Sequence, residues 1–335
     1  MVLQFENNEI MRILLICLIG VIVSVSYGQQ QPQFSQYNRN QYLVNPGAAG
    51  IYNFLDVTLG GRMQWAGFEN APMTSYLYAS KALGKGSKSR YNPSIRTSSG
   101  PIKNPEIKTG KLKHAIGGYL FADQYGAYRQ LKFAGTYAIH IPVAKNYNLS
   151  FGADVGMSNR AFLKDRAQTL NVITGVGTDA TYDEYASSSN RNTIDVGAGL
   201  YFYSKQMYIG ISADQLTRDL ISFGSGNLNF DPNIHYRATA GYKFNLSDNF
   251  TLTPSVLTKY VSPAPISFEG GLQLEYQEWI WLAASYRTSK TAIVMAGFNI
   301  NRIFKFGYSF DFSVSNFSNN SAGGHELVLG LMLGR

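Results

Sequence analysis

The feature that most constrains this chain is an alternation. From Leu55 onward, apolar and polar side chains trade places residue by residue, in segment after segment bounded by turn residues. In "YNLSFGADVGMSN", Leu149, Phe151, Ala153, Val155 and Met157 share one face, with Asn148, Ser150, Asp154 and Ser158 on the other. "NTIDVGAGLYFY" sets Ile194, Val196, Ala198, Leu200 and Phe202 against Asp195 and two glycines. "FKFGYSFDFSV" and "ELVLGLMLGR" repeat the pattern, the latter aligning Leu327, Leu329, Leu331 and Leu333. Period two belongs to a strand whose two faces meet different surroundings. About fourteen such segments, each about nine to thirteen residues long, start near Leu55, Met73, His114, Arg129, Tyr147, Thr193, Gln206, Ile234, Phe250, Pro265, Trp279, Thr291, Ile303 and Gly324.

That length suits a tilted strand crossing a bilayer and exceeds the usual strand of a soluble sandwich. Trp65, Tyr147, Tyr260, Tyr276, Trp279 and Phe304 stand at segment ends, where the aromatic girdles of a barrel lie. Charged residues are only 15% of the chain, below the quarter usual for soluble domains, while glycine (33), tyrosine (23) and phenylalanine (20) are abundant. The expectation is an all-β protein: a closed antiparallel transmembrane β-barrel of about fourteen strands in the cell outer membrane, in contact with its lipids, preceded by a short N-terminal periplasmic or luminal segment. Inward Asp154, Asp195, Asp214, Glu269, Asp311, Arg62, Arg237 and Lys243 imply a polar lumen that lines a pore or locks a plug.

The N-terminus carries an export signal. Arg12, the apolar run Ile13 to Val25 and the small-x-small Ser26-Tyr27-Gly28 predict a signal peptide over residues 1–28, with translation starting at Met1 or Met11. Ile16 stands where a lipobox before Cys17 needs a small residue, and cleavage removes the chain's one cysteine. Residues 29–54 then form an N-terminal segment and candidate plug, and 55–335 the barrel. Strand parity puts the tight connections "AKNYN", "SKQM", "NLSDN", "YQEW" and "NRIF" on the periplasmic side, and the long loops Phe162 to Arg191 and Arg218 to Asn233 outside. Gly84 to Lys113 is long yet falls on the periplasmic side. It holds eight basic residues against Glu106 alone, in a chain of formal net charge +8. Lys103, Lys108, Lys111 and Lys113 are candidates for electrostatic docking of an acidic periplasmic partner or of anionic headgroups; nucleic acid does not fit an exported barrel.

No catalytic motif is present: no G-x-S-x-G, P-loop, H-E-x-x-H or cysteine cluster. His114, His140, His235 and His325 are not spaced for a metal, and His325-Glu326 reads as a polar pair at the barrel rim. No enzyme activity, cofactor or metal is expected. The stretch "PQFSQYNRNQYLVNPGAAG" (Pro32 to Gly50) has neither helical nor strand periodicity. Phe34, Tyr37, Tyr42 and Leu43 supply apolar area, and Gln33, Gln36, Asn38, Asn40 and Gln41 supply amides suited to a polar wall. A barrel of about fourteen strands has room its own side chains do not fill, so this stretch is expected to fold into or against the periplasmic mouth and occlude it.

The same stretch, P-Q-F-S-Q-Y followed by Asn40, Asn45-Pro46 and Gly50, resembles the start of the PorP/SprF family of outer-membrane proteins of the type IX secretion and gliding machinery. Arg62-Met63-Gln64-Trp65 with Pro72 and Thr74, Gly241-Tyr242, "PSVLTKY" (Pro254 to Tyr260), Tyr286-Arg287, "GYSFDF" (Gly307 to Phe312) and His325-Glu326 are similar to later strands of that family, in order. Gln31 and Ala48 depart from its usual acidic and aromatic residues. The resemblance implies a non-enzymatic component that serves secretion and surface attachment of large proteins such as gliding adhesins. The implied partners are a secreted client with a C-terminal sorting domain and periplasmic components of the machinery. Within the segment, Gln33, Phe34, Gln36, Tyr37, Asn40, Asn45 and Pro46 are the candidate plug or partner-binding residues. The alternative is a passive porin or small-solute transporter sharing only the fold, and the state of the lumen separates the two.

Overall fold

Alternating sequences of this kind satisfy their backbone groups only by pairing edge to edge, and a sheet that closes on itself leaves no edge. The computed structural model describes residues 33–84 and 107–334, apart from 168, 176, 178–181, 184–189, 219, 224–232, 301–302 and 315–321. The predicted signal peptide and Lys103 lie outside the described residues.

Fourteen strands form the wall: β1 (Leu55–Met63), β2 (Met73–Leu83), β3 (Lys113–Tyr125), β4 (Tyr128–Ala144), β5 (Tyr147–Phe162), β6 (Asn190–Tyr203), β7 (Met207–Asp214), β8 (His235–Tyr242), β9 (Phe250–Val261), β10 (Ser267–Tyr276), β11 (Ile280–Arg287), β12 (Thr291–Ile300), β13 (Phe304–Ser313) and β14 (Gly324–Leu333). Each pairs antiparallel with the next, and β14 closes on β1 with Leu333 opposite Leu55 and His325 opposite Met63. Phe244–Asn245 continues β8 beyond Lys243, and Ser222–Phe223 pairs with β6. The fold is the closed antiparallel barrel that the alternation predicts, with strand starts within three residues of those expected.

The phase of each strand is as read. Along β5, Phe151, Ala153 and Val155 are exposed on the outer face, while Asn148, Ser150, Asp154 and Ser158 are buried inside. Leu59, Leu120, Phe133, Ile211, Leu272, Leu282 and Val294 continue an apolar belt around the outside, which only lipid covers without penalty. Tyr147, Tyr260, Tyr276, Trp279 and Phe304 are exposed at strand ends. The tight connections gather at one end, with Gln277 and Glu278 both at positive φ (47° and 60°), the geometry of the commonest two-residue hairpin. Leu55 and Leu333 meet at this turn end, and in outer-membrane barrels the short turns are the periplasmic ones. The connection after Leu83 starts at the turn end, since Leu83 pairs with His114.

The core is not between layers but inside the barrel. Residues 33–54 run through the lumen, with short 3-10 turns at Gln41–Leu43 and Pro46–Ala48. Phe34, Tyr42 and Ala49 pack with Tyr76, Tyr78, Ala115, Ala138 and Val328 of the wall. Ala48 and Ile51 pack with Tyr201, Tyr203 and Tyr208, and Tyr37 and Val44 with Leu257.

Candidate functional site

The lumen is built from the inward phase of every strand, so its chemistry is the polar half of the alternation. Residues 33–51 cross it lengthwise, from the level of Arg62 and Glu326 near the loop end to Lys113 at the turn end. Three tiers of contact hold them.

The first tier is ionic. The Ser35 amide donates to Glu326 Oε2 (2.7 Å), and its hydroxyl donates to Asp311 Oδ1 (2.8 Å). Arg62 pairs with Asp311 (2.8 Å) and Glu326 (3.6 Å), and Arg287 with Glu269 (2.7 Å) and Asp311 (3.6 Å). Lys259 Nζ donates to Gln33 Oε1 (2.6 Å). Arg62, Arg287 and Lys259 thus balance Asp311, Glu326 and Glu269, all of them buried. Each ion lies among opposite charges and hydrogen-bonding groups, which offsets its loss of water.

The second tier joins amides and phenols. Asn40 Nδ2 donates to Tyr76 Oη (3.3 Å), and Tyr78 Oη donates to Asn40 Oδ1 (3.2 Å). Tyr37 bonds Ser255 (3.0 Å), Tyr42 bonds Thr136 (2.6 Å), and Tyr208 donates to Asn38 Oδ1 (2.7 Å). Burial raises the Tyr37 and Tyr42 phenols above their ordinary pKa, so both stay neutral partners. Arg39 pairs with Glu275 (2.9 Å) over the Trp281 ring (5.3 Å). Burying each aromatic side chain contributes about 1.5–3 kcal/mol.

The third tier is a turn seated on glycines. Asn45 caps its own turn by accepting from Gly47 N (2.8 Å), and its Nδ2 donates to the carbonyls of Leu200 (2.9 Å) and Ile211 (3.0 Å) on β6 and β7. A Cβ on Gly199 would stand 2.1 Å from Asn45 Oδ1, and one on Gly152 would stand 2.3 Å from the Pro46 carbonyl carbon. Only glycine lets the turn approach that closely. Below it, His140 Nε2 reaches the Ala49 carbonyl (2.9 Å) and Nδ1 reaches Tyr203 Oη (2.9 Å). A neutral imidazole that donates from one nitrogen and accepts at the other satisfies both. Lys113 Nζ donates to the carbonyls of Gly50 (3.2 Å) and Ile51 (2.9 Å).

All seven segment residues singled out from the sequence, Gln33, Phe34, Gln36, Tyr37, Asn40, Asn45 and Pro46, line this path, and all but Gln33 are buried. Of the basic residues, Lys108 and Lys111 are exposed beside the turn end, whereas Lys113 points inward. His325 and Glu326 do not form a pair: Glu326 is fully buried in the lumen, and His325 faces outward against Tyr308 Oη (2.7 Å). Successive strand residues point to opposite faces, so adjacency in sequence separated them. The luminal tyrosines 76, 78, 201, 203 and 208 and His140 were not foreseen. Their one sequence signal is phase: Tyr76 and Tyr78 share the parity of Thr74 and Ser80.

Among the described residues, two sizeable chambers lie beside the segment. The one toward the loop end has a volume of about 310 Å³, and the one toward the turn end about 80 Å³. Among the described residues, no group of three His, Cys, Asp or Glu side chains is placed to hold a metal.

A closed barrel with an apolar outer belt, aromatic strand ends and a polar interior defines an outer-membrane protein. The sequence carries the identity further. The family model described as type IX secretion system membrane protein PorP/SprF matches residues 26–331, and the chain belongs to that family. No curated protein matches the sequence. Among solved structures, the chain is similar to a TodX deltaS2S3 mutant monoaromatic hydrocarbon channel (7% identity, covering 88% of this chain and 94% of that one, TM-score 0.49). It is also similar to Omp33 of Acinetobacter baumannii (10%, 85% and 99%, TM-score 0.42) and to the translocator domain of the autotransporter NalP from Neisseria meningitidis (11%, 89% and 94%, TM-score 0.42).

Proposed function

We propose that this barrel is a non-enzymatic adaptor of type IX secretion, anchoring large cell-surface proteins such as gliding adhesins while its periplasmic end contacts the machinery. The observation that carries the reading is the occupied lumen. Residues 33–51 fill the path a solute would take, and the ionic and amide tiers fix them to strands all around the wall. An open diffusion pore needs that path clear. The outer surface and loops then carry the client, and exposed Lys108 and Lys111, with Lys103 of the same connection, offer positive charge to an acidic periplasmic component. Lys113 leaves that set, because its ammonium is bonded to Gly50 and Ile51.

The test compares a strain lacking this protein with its parent. Proteins shaved from the cell surface by protease should lose large exported species with C-terminal sorting domains, while uptake of small solutes stays unchanged. The reverse result, intact display with reduced uptake, establishes the porin instead. In planar bilayers the full-length protein should be silent, and a variant lacking Gln33 to Asn45 should conduct.

A further inference from the structure

The chamber of about 310 Å³ lies between the luminal segment and the loop end of the barrel, the end that barrels of this kind turn outward. Its floor is Phe34, Tyr42, Leu43, Val44 and Pro46; its wall includes Tyr119, Phe121, Tyr125 and Tyr128 on β3 and β4. Charges of both signs are set among these rings. Arg237 pairs with Asp214, Lys132 lies 3.6 Å from Asp195 and over the Tyr119 ring (5.6 Å), and Tyr119 Oη donates to Asp154 (3.2 Å). Asp123 accepts from Thr74 Oγ1 (2.6 Å).

This wall selects by exclusion. A hydrocarbon would press alkane against carboxylates and guanidinium groups and deprive them of water without replacement. A free inorganic anion meets three carboxylates, Asp123, Asp154 and Asp214, and a cation meets Lys132, Arg160 and Arg237. A polypeptide strand fits both halves. Its backbone brings donors and acceptors in equal number to Gln130, Gln215 and the paired charges, and its apolar side chains find aromatic surface. Tyrosine and arginine are also the residues that dominate peptide and protein recognition. We propose that the outer chamber is a receptor site for an extended peptide segment of an exported protein, held by an apolar or aromatic anchor. This rests on the adaptor reading above and gives it a place on the molecule.

The experiment uses the intact protein in its own cells. With Cys17 the chain's one cysteine, Gln130→Cys and Asn233→Cys place single thiols on two walls of the chamber, and Glu69→Cys, exposed on another outer turn, is the control. Each is labelled on whole cells with a bulky impermeant maleimide, in a strain that secretes and in one whose secretion is disabled. The chamber thiols should label about tenfold more slowly in the secreting strain, as a site occupied about nine-tenths of the time requires, and the control equally in both. Brief proteinase K treatment should restore labelling. Equal rates in the two strains overturn the proposal, and so does protection that survives the protease, which points to a saccharide or lipid occupant. Two positions guard against one variant failing to insert. If surface display still depends on this protein while chamber labelling is indifferent to secretion, the chamber assignment fails and the adaptor reading stands.

Discussion

Replacing Gly152 by valine tests whether the Asn45–Gly47 turn seals the lumen. The new Cβ would lie 2.3 Å from the Pro46 carbonyl carbon and 2.4 Å from Gly47 N, and such contacts essentially never fall under 3.0 Å. These are backbone atoms, with no side chain to swing away, so the turn itself must move off β5. Overpacking of that kind costs about 1–3 kcal/mol. The same movement stretches the two bonds from Asn45 Nδ2 to Leu200 and Ile211, at about 0.5–1.5 kcal/mol each. The turn therefore loses about 2–6 kcal/mol of seating, and the unseated population rises at least about thirtyfold. Single-channel recording reads this directly: a silent parent should give way to bursts of conductance. Gly135→Val is the control, since a Cβ there meets nothing within 4 Å. A Gly152→Val protein that inserts normally and stays silent refutes the seal, and equal bursts from Gly135→Val show that the effect does not pass through the segment.

Arg62→Met leaves Glu326 buried without its guanidinium partner and Asp311 with Arg287 alone, a loss of about 3–5 kcal/mol, and should lower the temperature at which the folded band disappears in heat-modifiability gels. An unchanged transition would mean that water reaches these carboxylates. Lys108→Ser with Lys111→Ser should weaken recovery of periplasmic machinery components without altering that transition, and the parental contact should weaken as salt rises. Lys113→Ser should do the opposite, loosening the segment's base while leaving partner recovery intact; equal loss of recovery from both changes would contradict the inward placement of Lys113.

The wall was legible in the sequence because two media act on it at once. Lipid outside and polar groups inside impose a choice at every residue, so Phe151, Ala153 and Val155 announce their face without knowledge of any partner. The luminal tyrosines were illegible for the same reason. An aromatic in a membrane strand reads as lipid-facing or girdle, and only the filled lumen gives Tyr76, Tyr78, Tyr201 and Tyr203 an inward surface to pack on. Lys113 belongs by composition to a basic connection. Its partners, Gly50 and Ile51, lie about sixty residues earlier, and no local pattern encodes that distance. The 33–51 stretch lacks period because its surroundings change from tier to tier, from ions to phenols to bare glycine backbone.

The ionic tier also has a place in closing the barrel. Arg62 and Glu326 are register partners across β1 and β14, the seam where the first and last strands meet. Both point inward, and Ser35 bonds Glu326 through its amide and Asp311 of neighbouring β13 through its hydroxyl. The residues that hold the segment are therefore the ones that bridge the seam. Among the strand pairings of the wall, joining β1 to β14 closes the longest loop and is the least favourable in entropy. A segment covalently attached to β1 and complementary to β13 and β14 offsets part of that cost by bringing the terminal strands together. Seating of the segment and closure of the wall then stabilise each other, and a change at Arg62 reaches both.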